Sequence, residues 1–191
     1  MEQKTILIIG TYDTKEDELS FLADALHEQG ARTHLMDVSV LGDTAVSVNV
    51  TKHEIAAAAN TTITAIIALE DENLAFQQMA LGASTLTANL NEVGTIDGVI
   101  VLGGTMGTDL ALDVVNALPM GVPKYIVSTV AFSPLIPTER IAPDVQMILW
   151  AGGLYGLNSL CKSTLLQAAG AVHGAAKAVG KLDASKPMIG M

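Results

Sequence analysis

Apolar runs alternate with helical stretches along the chain, and that alternation sets the architecture before any single residue is considered. Thr5-Ile6-Leu7-Ile8-Ile9 is an unbroken apolar, β-branched run closed by Gly10, the pattern of a strand covered on both faces. Beyond the turn Gly10-Thr11-Tyr12-Asp13-Thr14-Lys15, Leu19, Leu22, Ala23 and Leu26 recur at helical intervals until Gly30. Asp13 and Glu16 have the spacing of a capping box at the head of that helix. Residues 31–38 predict a second strand ending at Asp37. A chain that returns after such an interval needs a crossover, which the helix supplies, so the unit is βαβ with parallel strands.

Residues 39–50 carry Gly, Asp, Asn and Thr with little periodicity and predict a loop, after which Thr51 and Glu54 form a second capping-box spacing and open a short helix. Segment 61–69 is β-branched and suits a strand or a helix. Across 73–93, Leu74, Gln78, Leu81 and Leu86 give a helical rhythm. Asp97-Gly98-Val99-Ile100-Val101-Leu102 then runs into Gly103-Gly104-Thr105-Met106-Gly107-Thr108, and an apolar helix follows to about Leu118, repeating the organisation at Gly10. Pro123 to Ser128 predicts another strand, ended by Ser128 and Thr129 before a Pro-containing loop through Pro143, and a further strand lies near 145–150. From Asn158 to about Lys181 the pattern is helical and rich in Ala and Gly, a face that packs closely on another helix, in this chain or in a second copy.

These elements predict an α/β fold with an open, mainly parallel sheet and helices on both faces. Residues 1–185 form the domain. Residues 186–191, Lys186-Pro187-Met188-Ile189-Gly190-Met191, are either the opening of a following subdomain or a C-terminal edge strand.

Composition narrows the picture. Half of the 191 residues are hydrophobic but only 4% are aromatic, so the core is built from Ala, Val, Ile, Leu and Met. A formal charge of −10 and a pI near 4.6 exclude nucleic acid as a partner, since binding its backbone rests on clustered Lys and Arg. A single nucleotide stays possible, because backbone N–H groups and one local cation hold phosphates in a negative field. Cys161 is the only cysteine, so no intrachain disulfide forms; a reducing, cytoplasmic location and a packed thiol follow. The longest uncharged runs contain Asn, Gln, Thr, Ser or Gly throughout, unlike a membrane span.

Ligands of an open parallel sheet collect beyond the carboxyl ends of the strands. Three strand ends here carry suitable groups: Gly10, Thr11, Asp13, Thr14 and Lys15; Gly103, Gly104, Thr105, Gly107 and Thr108; and Ser128 with Thr129. The glycine-rich segment is the best phosphate cradle, because its amides turn toward an anion and the following helix adds its positive end. Tight strand–helix packing explains such glycines equally well. The segment is neither a P-loop nor a dinucleotide fingerprint. Asp13 is either a helix cap or a ligand for hydrated magnesium, and Lys15 either a solvated residue or a phosphate contact. His27, His34, His53 and His173 have no metal-ligand spacing, and no nucleophile grouping names a covalent mechanism.

At Gly10-Thr11-Tyr12-Asp13-Thr14-Lys15-Glu16-Asp17-Glu18-Leu19 the sequence resembles the start of a largely uncharacterised ATP-binding family of bacteria, fungi and plants that includes the tomato mosaic virus resistance protein. The likeness continues at Ile96–Ile100, Leu102–Gly104 with Gly107-Thr108, Leu118–Lys124, Ser128–Ala131 and Gly156-Leu157-Asn158. The resemblance implies the first of two Rossmann-like, three-layer subdomains of an ATP-binding region, with the nucleotide site carried onto Thr11, Asp13, Thr14 and Lys15 and onto Gly103, Gly104, Thr105, Gly107 and Thr108. Met106 stands where members of the family often have a small residue.

Three functions are therefore expected alternatives. The chain is a nucleotide-binding module with phosphates at the Gly103–Thr108 loop and magnesium near Asp13. Or it is part of an enzyme acting on a phosphorylated or carboxylated small molecule, with Asp13 and Lys15 as acid–base groups and a second subdomain closing the cleft. Or it is a scaffold without a ligand, assembling as a homo-oligomer through the helix 158–181.

Overall fold

The computed structural model describes residues 3–150 and 156–179. Among these residues five strands, β1 (Thr5–Gly10), β2 (Arg32–Asp37), β3 (Gly98–Gly103), β4 (Lys124–Ser128) and β5 (Val145–Leu149), form one sheet in the order β2-β1-β3-β4-β5. Every pairing is parallel. Every residue of β1 and of β3 is buried, which is what their unbroken apolar runs require.

Helices cover both faces, as in a Rossmann-like three-layer domain. Alternation along the strands divides the core: Ile6, Ile8, Ile100 and Leu102 point to a layer formed by α1 (Tyr12–Glu28) and α6 (Ser159–Ala178). Leu7, Ile9, Val99 and Val101 point to the opposite layer, built from α2 (Lys52–Ala58), α3 (Ile63–Ile67), α4 (Glu72–Glu92) and α5 (Thr105–Asn116). A 3-10 turn at Thr138–Arg140 interrupts the loop between β4 and β5.

The ambiguous segment 61–69 is helical. The Thr62 hydroxyl accepts from the Ala65 N–H at 3.1 Å and caps α3, so Ile63 and Ile66, three apart, both reach the core. The capping box at Thr51 and Glu54 forms as the spacing predicts.

The Ala-rich helix α6 uses much of its small-residue face inside the chain. Cys161, Leu165, Ala168, Ala169, Val172 and Ala176 are buried in the layer shared with α1, while Gly170 and Gly174 are exposed. Trp150 donates from Nε1 to Cys161 Sγ at 3.0 Å. Burial pushes the Cys161 thiol above its ordinary range and outweighs that hydrogen bond, the state of a packed rather than a reactive thiol. No helix among the described residues is long and apolar enough to cross a membrane. Residues 186–191, expected to open a new turn or an edge strand, lie outside the described residues.

Candidate functional site

The strand order places β1 beside β3, and the chain leaves these two strands toward opposite faces, to α1 and to α5. That divergence opens a crevice at the carboxyl ends, the topological switch point of the sheet. A cleft of about 640 Å³ lies there. One wall is polar, from Thr11, Asp13, Thr14 and Lys15 after β1 and from Gly103 to Gly107 after β3. The other is apolar, from Val40, Leu41, Ile66, Ile67, Ala75 and Phe76, with Glu70, Asp71 and Glu72 also on the lining.

The turn after β1 is closed by the protein itself. Tyr12 N–H donates to Asp37 Oδ1 at 3.2 Å and Asp13 N–H to Ser39 Oγ at 3.1 Å, so the last residue of β2 and one just beyond it occupy the amino end of α1. Ser39 is fixed in turn, donating its N–H at 2.9 Å and its hydroxyl to the same Asp37 oxygen. Thr11 is the residue at the N-cap, but its side chain makes no cap bond and is joined to Thr14 Oγ1 at 2.8 Å. The helix is interrupted at Lys15, whose φ of −133° and ψ of 28° are not helical.

The capping box expected from Asp13 and Glu16 does not form. Both carboxylates turn instead to loop 39–50: Asp13 Oδ2 accepts from Gly42 N–H at 3.1 Å, and Glu16 Oε2 accepts from Thr44 Oγ1 at 2.7 Å and Ala45 N–H at 3.2 Å. A tertiary loop offers these carboxylates better donors than the first turn, whose own amides are already taken. Gly42 is required there, since a Cβ would lie 2.6 Å from Asp13 Cβ. Lys52, buried at the head of α2, clamps the loop by donating to Gly42 O at 2.8 Å and pairing with Asp43 at 2.6 Å. Asp13 Oδ1 is buried without a hydrogen-bond partner. The Tyr12 hydroxyl is also buried without one, and burial, then the Asp37 charge, pushes the phenol far up.

The turn after β3 is open. Gly104 is the N-cap of α5 and brings no side chain to cover the first amides of the helix. Gly103 has a packing role, because a Cβ there would lie 2.6 Å from the Gly107 carbonyl carbon. Gly104 and Gly107 are different: the nearest atoms to an added Cβ are 3.9 Å and 4.0 Å away, so their backbone borders free space. The packing reading thus holds for Gly103, while the backbone at Gly104 and Gly107 is left facing the cleft.

Not every expected residue reaches the cleft. Thr108 and Ser128 are buried and joined Oγ1 to Oγ at 2.6 Å, and the Thr108 hydroxyl donates to Gly104 O at 2.6 Å. They brace the glycine turn from beneath. Thr129 is half-buried, its N–H donating to Gly103 O at 3.2 Å, and Gly10 packs against Leu19. Thr11, Asp13, Thr14, Lys15, Gly103, Gly104, Thr105 and Gly107 do line the cleft. Among the described residues no three His, Cys, Asp or Glu side chains gather as a metal cage. Asp37, Ser39, Gly42 and Lys52 were not among the expected site residues, and the Asp-x-Ser at the end of β2 was the signal available for the first two.

Residues 4–181 match the Uncharacterised protein family (UPF0261) N-terminal domain. The chain belongs to the UPF0261 family. It is 56% identical over 186 residues to a UPF0261 protein of Brucella suis, covering 97% of this chain and 44% of that protein. It is 34% identical over 188 residues to a UPF0261 protein of Clostridium tetani, covering 98% and 46%. With the ToMV resistance protein Tm-1 of Solanum lycopersicum the identity is 30% over 200 residues, covering 95% and 26%. The chain spans less than half the length of these curated relatives.

Some segments that carry the UPF0261 resemblance lie at the other end of the sheet. Leu118–Lys124 leads into β4, where Lys124, 2% exposed, pairs with Asp144 at 3.0 Å, and Gly121 N–H donates to the same carboxylate at 2.8 Å. Burial works to raise the Asp144 pKa, but the Gly121 and Lys124 hydrogen bonds hold it below the ordinary carboxylate value. That arrangement is structural.

Proposed function

We propose that the chain is a nucleotide-binding domain that takes ATP with magnesium, the phosphates received by the amino end of α5. The observation that carries this reading is the contrast between the two turns. The amides of α1 are already occupied by Asp37 and Ser39, whereas those of α5 open, behind a glycine N-cap, onto a cleft that Lys15 also lines. Backbone N–H groups and a helix dipole at that position suit a phosphate.

Charge explains the need for a metal. Asp13, Glu70, Asp71 and Glu72 line the cleft against Lys15, so a bare polyphosphate meets net repulsion. Asp13 Oδ1, buried without a partner, fits a single protein ligand to a magnesium ion held otherwise by phosphate oxygens and water. Since the chain spans less than half of its relatives, the rest of such a protein would complete or close the cleft.

Calorimetric titration with ATP and magnesium tests the reading, using this chain and a full-length UPF0261 protein in parallel. Saturable heat and a rise in melting temperature are expected, with roughly tenfold weaker binding after Lys15→Ala. Absence of heat and of a thermal shift at millimolar ATP, in both proteins, overturns it.

A further inference from the structure

Resting on the nucleotide reading, we propose that Leu41 and Ile67 grip the flat ring of the nucleotide, so that the cleft recognises a phosphate joined to an apolar planar group rather than phosphate alone. Leu41 is 74% exposed and Ile67 40% exposed, yet both line the cleft. Their chain neighbours are anchored. Val40 packs against the core and Ile66 belongs to it, so each exposed aliphatic side chain is presented from a fixed backbone.

Leu41 is fixed from its other side as well, because Gly42 bonds to Asp13 through its N–H and to Lys52 through its carbonyl. Phe76, half-buried on α4, adds an aromatic surface to the same lining. None of Val40, Leu41, Ile66, Ile67 or Phe76 carries a hydrogen-bonding side chain, so these residues offer shape and apolar area to a ring, beside the carboxylates of Glu70, Asp71 and Glu72 on the same lining.

Size leads to the same occupant. A volume of about 640 Å³ lies within the range of sites for whole small molecules and leaves a phosphate group occupying only a fraction of the cleft. The polar wall takes the anionic end and the apolar wall takes what remains. A ring laid against the aliphatic side chains of the apolar wall satisfies both.

The test compares ATP with inorganic tripolyphosphate, each with magnesium, by calorimetry on the whole chain and on Leu41→Ser and Ile67→Ser. Both substitutions are at exposed positions, and thermal denaturation checks that the fold survives. ATP is expected to bind about tenfold or more tighter than tripolyphosphate. Each substitution is expected to weaken ATP by about three- to tenfold and leave tripolyphosphate unchanged, with Leu41→Met restoring ATP affinity.

Equal affinity for the two ligands, or ATP binding untouched by both substitutions, overturns the ring grip while leaving an anion site at α5. Equal weakening of both ligands also overturns it, since that is the signature of a displaced loop. If neither ligand binds, the nucleotide reading falls and the ring grip falls with it.

Discussion

Asp37 accepts a hydrogen bond from the backbone N–H of Tyr12 at 3.2 Å, so the end of one strand caps the helix that follows its neighbour. The same carboxylate oxygen accepts from the Ser39 N–H and hydroxyl, and Asp37 is only 3% exposed. Asp37→Ala leaves these donors unpaired in a buried position and is expected to cost about 2–3 kcal/mol in urea denaturation. Asp37→Asn keeps one acceptor and should cost less. A fully stable Asp37→Ala protein would show that the cap contributes nothing.

Neighbouring glycines after β3 should respond in opposite ways. Gly103→Ala brings a methyl group to within 2.6 Å of the α5 backbone, which must shift, and a loss of about 1–3 kcal/mol is expected. Gly104→Ala meets nothing closer than 3.9 Å and its φ of −76° suits any residue, so stability should change by less than about 0.5 kcal/mol. On the proposed nucleotide reading, affinity should nonetheless fall in Gly104→Ala, because the added methyl would stand in front of the first α5 amides. Chemical denaturation and calorimetry on the two variants separate packing from binding.

Periodicity identified the strands well because β1 and β3 are buried along their whole length, and burial is what writes unbroken apolar runs into a sequence. Segment 61–69 was ambiguous for a physical reason: Ile63 and Ile66 are as suited to a strand as to one helical turn, and the Thr62 cap decides. The site was legible as a set of strand ends but not as a surface. Nothing local shows that the Thr108 and Ser128 hydroxyls spend themselves on each other, or that Asp13 and Glu16 abandon their helix for loop 39–50. Those choices depend on contacts across tens of residues. Gly42 and Lys52 were missed for the same cause, since a loop glycine and a first-turn lysine carry no signal until Asp13 stands beside them.

Acid should weaken the fold partly through Asp144. Its carboxyl lies below the ordinary 3.8 in the folded protein, so its contribution is fully present above that pH and is lost as pH falls through the folded value. Lys124 is left buried without its partner when Asp144 is replaced by Asn, with an expected loss of about 2–4 kcal/mol at pH 7. Urea curves at pH 7 and pH 3 should show the gap between variant and parent shrinking at the lower pH. An unchanged gap would exclude this pair as the source.

His173 predicts a second pH effect at milder acidity. It is 3% exposed, its Nε2 has no partner, and burial, then the Lys177 charge, holds its pKa below 6.5. The unfolded chain therefore takes up a proton near pH 6.5 that the folded ring resists, and stability falls as pH drops from above that value. His34 acts with the same sign through burial, so removing one ring leaves part of the slope. His173→Leu should raise stability by about 1 kcal/mol at pH 8 and flatten the decline between pH 7 and pH 5, as followed by thermal unfolding.

The break at Lys15 divides α1 into parts with different mechanical ties. Its first turn is fastened to Asp37, Ser39 and Gly42, while the body of the helix, through Leu19, Leu22 and Leu26, is locked into the layer it shares with α6. These ties overlap across the break: Tyr12 before it is buried in that layer, and Glu16 after it accepts from Thr44 and Ala45, so a displacement of loop 39–50 would reach the helix on both sides of Lys15.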